Sequence, residues 1–85
     1  MNNNTVTKEQ INKIYNDSIK NNSTIFGKCY LMAVQLPSGF IIVESSACVD
    51  VENYNPVMGA EICKERIMNK IWELEGYRLQ NELCK

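Results

Sequence analysis

The first clear pattern along the chain is helical. Ile11, Ile14, Tyr15 and Ile19 recur on one helical face, while Lys8, Asn12, Asn16 and Lys20 fall outside it. Just ahead, Thr7-Lys8-Glu9-Gln10 fits a capping box: the Thr7 hydroxyl accepts from the Gln10 amide, and the Gln10 side chain accepts from the Thr7 amide. Val6 and Ile11 are placed for the accompanying hydrophobic staple. The spacing predicts a helix over about residues 8–20, preceded by a flexible tail over residues 1–6 and ended by the polar run Asn21-Asn22-Ser23.

The period then changes. Residues 29–36 form a strand-length apolar run, Pro37-Ser38-Gly39 is turn chemistry, and residues 40–43 (Phe-Ile-Ile-Val) read as the returning strand. Neither strand alternates cleanly, so both faces of the hairpin want cover. The connection that follows has room for a third short strand around residues 47–49. Asn55-Pro56 is a helix start, with Asn as cap and Pro at the first helical position. Ala60, Cys63, Ile67, Ile71 and Leu74 then repeat at helical spacing, and Gly76 is either a C-terminal cap or a kink before a last turn carrying Leu79 and Leu83. The expected fold is α+β: an N-terminal helix, a β-hairpin with that optional third strand, and a long amphipathic C-terminal helix, residues 7–85 forming one domain.

Size sharpens this picture. A chain of 85 residues has a marginal core, and an isolated hairpin is marginal too. A homo-oligomer, dimer or tetramer, is therefore expected, a second copy covering the outer sheet face or the free edge. Nine basic residues against ten acidic ones, a net charge of -1, argue against general nucleic-acid binding. No apolar run is long enough for a membrane span, and the polar start is no signal peptide. The chain lacks His, and Cys29, Cys48, Cys63 and Cys84 are widely spread. Reduced, packed thiols are expected rather than disulfides or a zinc site, and no cofactor is implied.

Candidate chemistry is sparse. Cys48 lies in a loop beside Ser46, but without a His to activate it a structural thiol is the better reading. Glu73 and Glu75 point apart on a helix and make no acid–base couple. Glu44, Asp50 and Glu52 lack a calcium-loop pattern, and the four glycines are isolated, so no phosphate loop is present. The chain is expected not to be an enzyme.

Two segments are richer than a bland domain needs. Ser46, Cys48, Asn53 and Tyr54 place hydroxyls, a thiol, an amide and a ring in one connection. Lys70, Trp72 and Arg78 bring residue types enriched at the energetic centres of interfaces. Trp72 reads either as the largest core side chain or as an interface anchor; Arg78 reads as a solvated charge or a ligand contact. Lys70 and Trp72 stand about 200° apart on a helix, so a ligand using both would be shared between subunits.

At these residues the chain resembles a known family. The run from Gly39-Phe40 through Ser46-Ala47-Cys48-Val49-Asp50, then Asn53-Tyr54, then Lys70-Ile71-Trp72-x-Leu74-Glu75-Gly76-Tyr77-x-Leu79, is similar to the small tailed-phage proteins of the gene-product 49/66 family, over about residues 7–80. Three positions depart from its pattern: Glu44 stands where Gly is usual, and Val51 and Glu73 where Pro is common. The resemblance transfers no catalytic residue. It implies a phage or prophage accessory protein acting in the host bacterial cytoplasm, with antagonism of host defence as the expected role. The first expectation is sequestration of a nucleotide-derived signal, a cyclic nucleotide or an ADP-ribose derivative. The alternatives are inhibition of a host defence protein such as a nuclease, and a small virion or regulatory part.

Overall fold

The computed structural model describes residues 5–84 and runs α1 (Lys8–Asp17), β1 (Ile19–Ile25), β2 (Cys29–Gln35), β3 (Ile41–Ala47), a single 3-10 turn (Val51–Asn53) and α2 (Pro56–Leu83). It is the expected α+β arrangement. The capping box at Thr7 forms as its residues predict, with Gln10 N to Thr7 Oγ1 at 3.2 Å and Thr7 N to Gln10 Oε1 at 2.8 Å. Of the expected tail, residues 1–4 lie outside the described residues, and Val6 packs against the core.

The helix ends earlier than its pattern predicts. Ser18 turns extended and stops α1, its Oγ donating to the Ile14 carbonyl at 2.6 Å and its amide to the Tyr15 carbonyl at 3.1 Å. Ile19 and Lys20 are thus not helical, and Ile19 is exposed. The Asn21-Asn22-Ser23 run is not a breaker but the middle of β1, which pairs antiparallel with β2 from Ile19↔Gln35 to Ile25↔Cys29. Asn and Ser are poor strand formers, so β1 exists because β2 offers it a ladder of hydrogen bonds. The third strand therefore lies before the hairpin. Ala47 ends β3, and Cys48 and Val49 lie beyond it.

The sheet order is β1-β2-β3. Phe26 and Gly27, both at positive φ, turn β1 into β2. At the second turn the Gly39 amide meets the Leu36 carbonyl at 2.8 Å, with Pro37 fixing φ and Gly39 at φ 97. α1 and α2 cover one face of the sheet. The core joins Ile11 and Tyr15 of α1, Met32 and Val34 of β2, Leu36, Ile42 of β3, and Cys63, Ile67 and Ile71 of α2. Ala60 and Leu74 pack at its rim, so the helical stripe read from the sequence is the buried one. Strand alternation leaves the other face to Ile19, Asn21, Ser23 and Ile25, to Cys29, Leu31, Ala33 and Gln35, and to Ile41, Val43, Ser45 and Ala47, with no charge among them.

α2 approaches β2 most closely at Gly59, where an added Cβ would stand 2.8 Å from Tyr30 Cβ. Gly59→Ala must push helix and strand apart and is expected to cost about 1–3 kcal/mol, read as a lower midpoint in urea unfolding.

The core also sets a response to alkali. Burial raises the Tyr15 hydroxyl above its ordinary value of 10.0 and the Cys63 thiol above 9.0. Both hold their protons more tightly folded than unfolded, so their stabilisation is complete below the unfolded pKa and is lost as pH rises through the folded one. Thermal melts should show a midpoint that begins to fall near pH 9.0, and Cys63→Ala should make that fall shallower.

Candidate binding site

After β3 the chain must turn back to start α2, and bonds within the connection and to earlier residues fix the way it does so. The Asp50 side chain accepts the Glu52 amide at 3.0 Å, opening the 3-10 turn. The Cys48 thiol donates to the Asp50 carbonyl at 3.0 Å, and Lys28 Nζ to the Val49 carbonyl at 3.3 Å. Tyr54 Oη lies 2.6 Å from Thr24 Oγ1, tying the connection to β1. The result is a cavity of about 150 Å³ lined by Ser46, Cys48, Asn53, Tyr54, Met58 and Ile62, among others. Four of the residues singled out from the sequence, Ser46, Cys48, Asn53 and Tyr54, thus share one site.

The cavity opens beside the N-terminus of α2, but that terminus has no amide to offer an anion. Pro56 has none. Asn55 Oδ1 accepts from Val57 at 3.0 Å and Met58 at 3.3 Å, and the Asn55 carbonyl accepts from Gly59 at 2.9 Å. Positive charge has to come from side chains, and the cavity lining contains none.

The charge lies further along the same side of α2. Arg66, one turn past Ile62, donates from Nη1 to the Ser45 carbonyl of β3 at 2.7 Å. One turn later, Lys70 lines a second hollow of about 380 Å³ with Phe40, Ile41, Val43, Glu44, Glu73 and Leu74. Among the described residues Lys70 has no ion-pair partner. Cavity, Arg66 and hollow form one seam between the free edge of β3 and α2, from Ile62 to Leu74, about 18 Å at the helical rise. Ring-bearing recesses, Tyr54 in one and Phe40 in the other, stand at the two ends of this seam, with two cations between them.

Sequence reasoning missed Arg66 and Phe40. The i, i+4 spacing of Arg66 and Lys70 was a signal for a shared face, but only the packing of α2 on β3 shows that this face borders the sheet edge. Trp72 and Arg78 lie elsewhere. Trp72 is 38% exposed and outside the core cluster. The Arg78 guanidinium bonds Glu75 at 3.0 Å and also Glu82, and these carboxylates raise its pKa. α2 continues through Gly76, which is neither cap nor stop. The Cys48 thiol has only backbone carbonyls as partners, and all four cysteines are free. No group of three metal-ligating side chains occurs among the described residues, and no helix there is long and apolar enough to cross a membrane.

Comparison with curated proteins and with solved structures found no match. A family model does match, over residues 3–83, nearly the whole chain and the entire seam. The protein belongs to the Phage protein (N4 Gp49/phage Sf6 gene 66) family.

Proposed function

We propose that this phage protein is a non-enzymatic antagonist of host defence that binds and sequesters a nucleotide-derived immune signal in the host bacterial cytoplasm. The observation that carries the reading is the pair Arg66 and Lys70, set between two ring-bearing recesses on the β3–α2 seam. Phosphates of a cyclic nucleotide or an ADP-ribose derivative meet the two cations. A base stacks on Tyr54 or Phe40, and Ser46 and Asn53 fix its orientation by hydrogen bonds. The first recess, about 150 Å³, is smaller than a drug-sized pocket, and the second, about 380 Å³, is open. Lys70 belongs to this site; Trp72 and Arg78 do not.

The alternative, a protein inhibitor of a host defence factor, draws on the uncharged outer sheet face with Leu31, Ala33, Ile41 and Val43. Charge depletion is typical of protein–protein interface cores.

A thermal-shift screen against cyclic dinucleotides, cyclic trinucleotides and ADP-ribose derivatives separates the two. A ligand of the seam should raise the melting midpoint. Arg66→Ala and Lys70→Ala should each weaken binding by about 10- to 100-fold, the usual range for a lost charged hydrogen bond. Tyr54→Ala should cost about 1–3 kcal/mol if it carries the stacked base. If no nucleotide shifts the midpoint, while Leu31→Glu, on the outer sheet face and outside both recesses, abolishes protection of a phage, the protein-inhibitor reading replaces this one.

A further inference from the structure

The core leaves the end of α2 unsupported. No residue after Leu74 belongs to the core or packs at its rim, yet the helix runs on to Leu83. Those nine residues extend about 14 Å at the helical rise, in a molecule 51 Å long and 20 Å wide. A helix end of this length has little stability of its own, since most helical stability in proteins comes from packing.

That end carries an apolar stripe. Trp72, Gly76, Leu79 and Leu83 recur at i, i+4, i+7 and i+11 and share one side of α2. At 3.6 residues per turn, the stripe lies about 160° round the helix from the side that Cys63, Ile67 and Leu74 bury. Trp72 is 38% exposed and Leu83 55%. Gly76 leaves a gap in the stripe, with no atom within 4 Å of an added Cβ.

We infer that this stripe is where two copies of the chain meet, α2 against α2, antiparallel about a two-fold axis near Tyr77 and Arg78. The stripe fits its own reverse. With that axis Leu79 of each copy enters the gap at Gly76 of the other, and Trp72 of each lies on Leu83 of the other. One two-fold operation makes each contact twice, as a symmetric dimer requires. The gap also allows the helices the close approach that helix pairs need, about 8–10 Å between axes. Arg78, held between Glu75 and Glu82, offsets one of the two carboxylates on that flank, so apposing two such flanks leaves only a weak, solvent-screened repulsion at the rim.

The footprint identifies the occupant further. Residues 72–83 give a strip about 18 Å long and one helix wide, which suits a single helix rather than a globular surface. It is at the small end of specific interfaces, so association should depend on concentration in the micromolar range. This inference does not rest on what the seam binds.

Sedimentation velocity over a range from low to several hundred micromolar tests it. The parent should pass from monomer to dimer, with little dependence on salt. Leu79→Glu should remain monomeric throughout, with unchanged circular dichroism, because its side chain makes no core contact. Gly76→Leu should fill the gap and weaken association at least tenfold. Val43→Glu, on the outer sheet face, should leave association unchanged. A parent that stays monomeric throughout overturns the inference, as does a dimer that survives Leu79→Glu and Gly76→Leu but is lost in Val43→Glu.

Discussion

The close packing of α2 on the sheet at Gly59 and Tyr30 is the contact on which the rest of this structure depends. The three-stranded sheet has helices on one face only, and α2 supplies most of that cover through Cys63, Ile67 and Ile71. The helix lies deep because residue 59 has no side chain where Tyr30 passes. With α2 in that position its rows of side chains are assigned in turn: one row to the core, one to the β3 edge and one, past Leu74, to neither.

The β3-edge row is where function can reside. A side chain in the core is consumed by packing, whereas Arg66 and Lys70 stay at the surface beside recesses that the sheet edge and the connection complete. The connection itself is held by bonds over short sequence distances, Asp50 to Glu52 and Asn55 to Val57 and Met58. Longer-range ties run from Lys28 to Cys48 and Val49, and from Tyr54 to Thr24 of β1. The polar edge strand β1 thus steadies the wall of the candidate site.

Of the strings that carry the resemblance, Ser46-Ala47-Cys48-Val49 borders the first recess, and the run from Lys70 to Leu79 spans the second hollow, the core at Ile71 and the start of the projecting helix. Trp72 stands half-exposed and outside the core cluster, so the packing of the domain does not account for its position.

Local events were legible in short stretches of the chain. The capping box at Thr7, the turn at Pro37–Gly39, the Asn55-Pro56 start and the buried stripe of α2 all form as their residues predict, because each depends on neighbours a few positions away. So did the grouping of Ser46, Cys48, Asn53 and Tyr54, which are close along the chain. Tertiary structure decided the rest. The middle of β1, Asn21-Asn22-Ser23, has poor strand propensity and is recruited by the hydrogen-bonding edge of β2. Ile19 continues the apolar periodicity of α1, but Ser18 ends the helix and the strand takes it. Trp72 follows Ile71 in sequence but lies about 100° from it round the helix, and only the placement of the sheet shows that this angle turns it out of the core. Arg66 and Phe40 are far apart along the chain, and nothing short of the packed sheet edge reveals that they flank the same seam.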